Sequence, residues 1–231
     1  MPGNYSAPND RSIRNSGMKG IIMNKTDNIK RSARIRYIAV TAILAAAAGV
    51  IQLLEFPLPF LIPPFIKMDF SELPALMGSF ALGPVCGILV CFLKNVIKAF
   101  TTSTGFIGEF CNFLLGAAFV ATAGLIYKFR KTRKGAIVAS LVGSLVMALV
   151  SLPVNYFISY PVYIKLFMPL EVILGMYQAI LPSVKTLWGA LIIFNLPFTF
   201  AKGLIDSVIT FLIYKKISPL LKTGFTRKDL K

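Results

Sequence analysis

The stretch Asn195-Leu-Pro-Phe-Thr-Phe-Ala-Lys202 places an amide, a hydroxyl and an ammonium group in a segment that is otherwise apolar. Polar residues recur here at steps of four, three and four: Asn195, Thr199, Lys202 and Asp206. On an α-helix such residues form one stripe. An ionisable residue in the membrane interior is costly and by default lines a cavity or a path. The stripe therefore predicts a membrane protein that holds a polar solute within the bilayer.

The composition of the whole chain indicates an all-α integral membrane protein with one membrane domain. Of its 231 residues, 56% are hydrophobic and 15% are charged, and the mean hydropathy is +0.72. Soluble domains carry about 25% charged residues. Because the chain is so apolar, we expect its helices to lie in lipid.

The basic residues are clustered, and their positions predict the orientation of the chain. The net charge is +16, with eight Lys and Arg between Arg11 and Arg36, five between Lys128 and Lys134, and six between Lys215 and Lys231. Each cluster borders an apolar segment, which is the pattern of basic loops on the cytoplasmic side. Both termini are therefore predicted to be cytoplasmic, and nucleic acid is not expected as a partner.

The apolar segments predict six transmembrane helices, of which the second is short. The predicted spans are residues 35–54, 71–82, 84–100, 106–127, 135–160 and 189–214. A single crossing over 71–100 would put the other basic clusters outside, so the Gly83-Pro84 break is taken to separate two elements. Residues 170–181, between Pro169 and Pro182, predict an interfacial helix between the fifth and sixth spans.

Three regions follow from this division of the chain. Residues 1–34 are predicted to be a disordered basic cytoplasmic tail, 35–216 a six-helix substrate-binding domain, and 217–231 a second basic cytoplasmic tail. A cleaved signal peptide is the competing interpretation of the N-terminal region, with the alanines at 45–48 imitating a cleavage site. The long apolar run and the extended basic lead-in favour a retained first span.

The first span carries small residues at a spacing that lets another helix approach. Ala42 with Ala46, and Ala45 with Gly49, are pairs of small residues four positions apart. Such a face suits close helix contact. Two interpretations stay open: packing inside this chain, or docking on another membrane subunit.

A proline-rich linker follows the first span. Residues 55–65 contain four prolines and are apolar and aromatic, so a regular helix is excluded there. The linker is predicted to be either a lid over a pocket or an interfacial loop.

The sequence contains no recognisable catalytic set, so an enzyme is not expected. It has no histidine and three cysteines in apolar runs, and it lacks phosphate-loop, nucleophile-elbow and zinc motifs. The cysteines predict neither disulfide nor metal site. A stand-alone ion-coupled carrier remains an alternative, because acids fall within the apolar segments.

A set of polar residues in spans four to six is the candidate binding site. Its members are Glu109, Asn112, Asn155, Asn195, Thr199 and Lys202. With the nearby aromatic residues they suit a neutral, hydrogen-bonding, partly aromatic solute. The competing interpretation is that they join helices to each other, with Glu109 pairing Lys202. Lys94 and Lys98 are expected to extend their charges toward the membrane surface.

Several motifs resemble one known family. They are Phe70-Ser-Glu-Leu-Pro-Ala-Leu, Phe80-Ala-Leu-Gly-Pro-Val, Gly108-Glu-Phe-Cys-Asn-Phe, Asn155-Tyr-Phe and Pro197-Phe-Thr-Phe-Ala-Lys-Gly203. In this order, over residues 35–216, they resemble the riboflavin-specific S components of energy-coupling factor (ECF) transporters. An S component for another vitamin is the nearest alternative.

The resemblance implies a fold, a ligand and partners. It implies a six-helix protein of the bacterial cell membrane that binds riboflavin as its transported ligand, without a cofactor, in a pocket near the outer face under the linker. Ala42 and Ala46 would dock on a transmembrane coupling subunit, and two ATP-binding-cassette subunits would drive release.

The same resemblance implies roles for individual residues. Asn155 and Lys202 match positions that contact the flavin, and Thr199 stands where many relatives have asparagine. Glu109 and Asn112 match the motif of the fourth helix. Leu58 and Phe60, in the linker, are expected to pack on the ring.

Overall fold

The computed structural model describes residues 10–102 and 105–222, with side chains over residues 30–102 and 105–213. Within these ranges the regular secondary structure is helical apart from one pair of two-residue strands, which confirms the all-α class. Among the described residues, those from 40 to 222 form one compact unit, which contains the site features discussed below, and residues 10–39 belong to a separate unit.

The elements follow one another along the chain with short connections. They are α1 Asp10–Leu53, β1 Phe56–Pro57, β2 Lys67–Met68, α2 Glu72–Leu82, α3 Pro84–Ala99, α4 Ile107–Phe129, α5 Arg133–Val154, α6 Tyr160–Leu166, α7 Leu170–Ile180, α8 Leu187–Ala190 and α9 Leu196–Lys222. Two π-helical stretches, Asn155–Ser159 and Leu191–Asn195, join α5 to α6 and α8 to α9.

Four of the described helical segments are long and apolar enough to cross a membrane. These are Lys30–Leu53, Ile107–Phe129, Arg133–Leu166 and Leu187–Ile213. With 11 and 16 residues, α2 and α3 fall short of the roughly 20 that a full crossing requires. The predicted count of six crossings therefore stays a prediction.

The short helix α2 lies at the centre of the helical unit. Residues from Glu72 to Ala81 are all buried, and α2 packs against α3, α4 and α9. Gly83, at a φ of +107°, makes the turn into α3, a backbone conformation that favours glycine. Neighbouring helices thus shield α2, as a short apolar helix at membrane depth requires.

The connection between the fifth and sixth predicted spans contains the expected helix. Over Leu170–Ile180, α7 has Ile173 and Tyr177 fully buried, within an apolar cluster that includes Tyr160, Val184 and Leu191. This helix is therefore anchored to the protein on one side. Its position at the membrane interface stays a prediction.

Of the predicted tails, residues 10–34 belong to α1 and residues 217–222 to α9, whereas residues 1–9 and 223–231 lie outside the described residues. The side chains of residues 1–29 and 214–231 lie outside the described residues, as do residues 103–104 in the turn before α4. The division into two tails and one membrane domain stays a prediction.

Candidate functional site

A cavity of about 380 Å³ lies at the end of the unit where α3 ends and α4 begins. Three further segments complete its wall: the linker, meaning from here on the whole connection between α1 and α2 (residues 54–71), the end of α5 with its π-helical extension, and the start of α9. Polar lining residues include Gln52, Glu55, Lys67, Asp69, Lys98, Glu109, Asn112, Asn155, Ser159, Asn195, Thr199 and Lys202. Apolar and aromatic ones include Phe65, Ile66, Leu115, Met147, Tyr160, Tyr163, Phe167, Met168 and Phe198. The volume suits one small organic ligand.

The polar residues singled out from the sequence share this wall. Glu109, Asn112, Asn155, Asn195, Thr199 and Lys202 all line the cavity. The stripe on α9 divides: its first three members lie on the wall, whereas Asp206 is buried away from it. Neither carboxylate oxygen of Asp206 has a hydrogen-bond partner among the described residues.

The two linker residues predicted to touch the ligand are not on the wall. Phe60 is 77% exposed, and neither it nor Leu58 lines the cavity. The backbone turns at this point, since the amides of Leu61 and Ile62 both donate to the Leu58 carbonyl. Ile62 is buried by this turn, and the linker residues that reach the cavity are Phe65 and Ile66.

Two asparagines of the wall lie in the π-helical stretches, Asn155 at the start of one and Asn195 at the end of the other. Each stretch is followed, two residues later, by a proline: Pro161 and Pro197. A proline has no N–H to donate to the carbonyl four residues before it, and its ring crowds that carbonyl. The local widening is the expected response, and such π turns are frequent at functional sites.

Lys202 belongs to a buried network of ion pairs. Its Nζ lies 2.8 Å from Asp69 Oδ2 and 3.2 Å from Glu72 Oε2. Lys94 Nζ lies 2.7 Å from Glu72 Oε1 and also donates to the hydroxyl of Ser71. The Lys202 ammonium is therefore neutralised by carboxylates of the linker and of α2, not by Glu109.

The network corrects two predictions. Lys94 has no exposed side-chain surface and so does not extend toward the membrane surface, because Glu72 holds its charge inside. Glu109 accepts a hydrogen bond from the Thr102 hydroxyl at 3.0 Å, and the competing interpretation, in which it pairs with Lys202, is wrong. The roles of Asp69 and Glu72 were not predicted, because acids just before a helix and in its first turn are also typical of an ordinary helix N-terminus.

Asp69 connects the linker to Lys202 on α9, and both residues line the cavity. Its Oδ1 accepts from the Ser71 amide at 2.9 Å, while its Oδ2 faces Lys202. Burial alone would raise the pKa of this linker carboxyl, but Lys202 and Lys94 outweigh burial and hold the pKa below its usual range. Asp69 is therefore ionised.

A second set of ion pairs lies at the edge of the cavity. One oxygen of Glu55, at the end of the linker nearest α1, lies 2.7 Å from Lys67 Nζ and 3.0 Å from Lys98 Nζ. Lys98 is largely covered, with 13% of its side chain exposed. Glu55 thus joins β2 to α3 at the cavity wall.

The charged groups of the wall cancel. The lining contains three lysines (67, 98 and 202) and three carboxylates (55, 69 and 109), so its formal charge is zero. A charged ligand would enter without a compensating charge, whereas a neutral one would find amides, hydroxyls and aromatic rings. The arrangement therefore fits capture of a neutral, partly aromatic solute.

Comparison with known sequences gives a consistent result. Residues 36–214 match the family model described as "ECF transporter, substrate-specific component". The riboflavin transporter RibU of Staphylococcus aureus is 32% identical over 195 residues, covering 84% of this chain and 95% of the relative. The riboflavin transporter FmnP of Bacillus subtilis is 29% identical over 192 residues, covering 82% and 95%.

Comparison with solved structures agrees. The S component of a bacterial ECF transporter matches with a TM-score of 0.65 and 31% sequence identity. The match covers 82% of this chain and 99% of the other. The resemblance noticed in the motifs therefore extends over nearly the whole length of these relatives.

Proposed function

This chain belongs to the family of ECF transporter substrate-specific components, and from this membership we propose that it captures riboflavin for an ECF-type importer. The family members and relatives are transport proteins and not enzymes. The protein binds the vitamin tightly and leaves it chemically unchanged. A partner complex supplies the energy for release.

The observation that carries the proposal is the composition of the cavity wall, in which the charge of Lys202 is balanced by carboxylates. Ion pairing with Asp69 and Glu72 lets Lys202 offer a hydrogen-bond donor without demanding an anionic ligand. The relatives named as riboflavin transporters indicate which neutral solute this is. An isoalloxazine ring carries both a flat aromatic surface and polar edges, which the mixed wall satisfies.

The contacts are assigned from the residues that share the wall. Asn155, Thr199 and Lys202 hydrogen-bond the polar edge of the ring or the ribityl chain, and Phe65 and Phe198 pack on its faces. Glu109, Asn112 and Asn195 supply further polar contacts. Thr199 has a shorter reach and one donor fewer than asparagine.

The placement in the membrane follows from the two ends of the helical unit. The cavity lies where α4 begins and α5 ends, whereas the basic loop between α4 and α5 lies at the opposite end of both helices. With that loop cytoplasmic, the cavity opens at the outer face of the bacterial cell membrane. Six crossings, counting α2 and α3, then put both termini inside.

Docking on the coupling complex uses the alanine face of α1. Ala42 and Ala46 are exposed, whereas Ala45 and Gly49 are buried. The buried pair packs inside this chain, where Ile97 approaches Gly49, and the exposed pair is left for a helix of the transmembrane coupling subunit. Two ATP-binding-cassette subunits complete the importer.

Energy from the partner is a requirement of the mechanism. A ligand that is held equally well in both states of a transporter shifts neither state and stays bound. Because the chain lacks a phosphate-loop motif, ATP hydrolysis by that route has to come from another subunit.

Calorimetric titration of the purified chain with riboflavin tests the proposal. We expect saturable one-to-one binding. Thr199→Val, which removes one hydroxyl from the wall, should weaken binding about three- to tenfold, the range expected for one neutral hydrogen bond.

The matched control is Thr210→Val on the same helix. The Thr210 hydroxyl is buried and has no hydrogen-bond partner within the described part of the chain, and it does not line the cavity, so its loss should leave binding unchanged. Absence of saturable riboflavin binding would overturn the proposal. Binding of thiamine in place of riboflavin would show that the transported ligand is another vitamin.

A further inference from the structure

A chain of three buried polar side chains leads from α7 to the cavity wall. The hydroxyls of Tyr160 and Tyr177 are hydrogen-bonded to each other. The Tyr177 hydroxyl also donates to Asn195 Oδ1 at 2.6 Å. All three residues are at least 95% buried. Tyr160 and Asn195 line the cavity, whereas Tyr177 does not.

The direction of these bonds follows from the orientation of the Asn195 amide, whose oxygen faces the Tyr177 hydroxyl. A tyrosine hydroxyl has one proton, and that of Tyr177 is given to Asn195. Tyr177 must therefore accept the proton of Tyr160. Donation runs from Tyr160 through Tyr177 to Asn195 and occupies the amide oxygen of Asn195.

We infer that Tyr177 is a positioning residue that orients the Asn195 amide so that its NH₂ group is offered to the ligand as a donor. The inference rests on the proposed function. A wall residue whose oxygen is occupied from behind selects a ligand with an acceptor, a carbonyl oxygen or an unprotonated ring nitrogen, at that point. Without Tyr177 the amide can rotate by half a turn and present either group.

Tyr177 acts on the cavity from a helix that lies outside its wall. Tyr177 comes from α7, in the connection between the two long helical segments, and is held there by Ile173 and Phe194. A helix that contributes no residue to the wall thereby controls the chemistry of one wall group.

A double-mutant cycle in riboflavin titrations tests this coupling. Tyr177→Phe should weaken binding about fivefold, in the range of one neutral hydrogen bond, and Asn195→Ala should weaken it about tenfold or more. In the Asn195→Ala background, Tyr177→Phe should cost no further affinity, because its effect passes through the amide. Thermal unfolding of all variants separates this coupling from a loss of stability.

Two further variants keep the test decisive. Tyr156→Phe is the matched control, since Tyr156 stacks on Trp188 and lies off the wall, and its affinity should equal that of the wild type. Asn195→Asp keeps the acceptor for Tyr177 and removes the donor, so it should bind riboflavin at least about tenfold more weakly.

Each outcome bears on a different claim. Equal losses from Tyr177→Phe in both backgrounds, or wild-type affinity in Asn195→Asp, would overturn the inference while leaving riboflavin capture intact. Failure of the wild-type chain to bind riboflavin would overturn the proposed function and this inference with it.

Discussion

Lys202 lies on the cavity wall, and its ammonium group is paired with Asp69 and Glu72. The sequence places this lysine at membrane depth, where a charge requires a partner. It does not say which acid provides the charge, since Glu109, Asp206 and the acids before α2 are all possible from spacing alone. Lys202 and Asp69 are 133 positions apart in the chain. Helical periodicity relates only residues a few positions apart, so it cannot predict this pair.

Lys202→Met should abolish tight riboflavin binding and destabilise the protein. The substitution leaves Asp69 and Glu72 buried with only Lys94 to neutralise them, and breaking a buried pair by removing one partner costs about 3–5 kcal/mol. The free energy of unfolding in detergent and a riboflavin titration measure the two effects.

The double variant Asp69→Asn with Lys202→Met separates the loss of riboflavin binding from the loss of stability. Removing one carboxylate together with the lysine should restore part of the stability but none of the binding. Lys98→Met should cost less stability than Lys202→Met, because Glu55 keeps Lys67 as its partner. Full recovery of riboflavin affinity in the double variant would contradict a ligand contact by Lys202.

At the scale of the element, α1 shows two similar small-residue pairs with different surroundings. Ala45 and Gly49 face the interior, while Ala42 and Ala46 face outward. The spacing of four predicts that each pair shares a face but not which face is covered. Both interpretations drawn from the sequence therefore find a place in the structure, one for each pair.

Ala46→Trp should spare riboflavin binding and block assembly with the coupling subunit, because a large side chain fills a face that close helix packing needs small. Co-purification with the coupling subunits and riboflavin uptake by cells measure assembly. Leu212→Trp, at a position 72% exposed on α9, is the matched control and should leave both unchanged. Normal uptake by Ala46→Trp would refute docking through this face.

Other elements were predictable for plain physical reasons. The Gly83-Pro84 pair ends one helix and starts the next, so the predicted division at this point matches α2 and α3, which begin at Glu72 and Pro84. The π-helical stretches were not predicted, although a proline inside a helix, such as Pro197, is a typical cause of a kink. A proline marks where the regular hydrogen bonding of the α-helix is interrupted, but the packing around it decides whether the helix bends or widens.

At the scale of the whole molecule, the cavity is closed by segments that are far apart in sequence. Glu55 connects to Lys67 on the linker and to Lys98 on α3. These pairs hold the linker against α3 at the cavity wall, so we expect them to affect how fast a ligand leaves. Their geometry makes the linker a part of the site even though Leu58 and Phe60 lie off the wall.

Glu55→Gln should raise the rate of riboflavin dissociation about threefold and change stability by less than about 1 kcal/mol, because partly exposed ion pairs contribute little to folding. Stopped-flow fluorescence with a competing ligand measures the rate. The difference from wild type should shrink at high salt, which screens the same pairs. Glu171→Gln on the exposed side of α7 is the control, and an equal effect there would exclude a specific role for Glu55.

The sequence alone determined the class of the protein and six polar residues that lie on the cavity wall. Hydropathy and basic clusters depend on the bilayer and on local composition, so they indicated a helical membrane protein, and the polar stripe indicated three of those wall residues. Only the tertiary structure decided how those groups are paired: Lys202 with Asp69 and Glu72, Lys94 with Glu72, and Asn195 with Tyr177. The physical reason is that a buried polar group takes its partner from whichever helix lies against it, and that neighbour is set by packing across the whole fold.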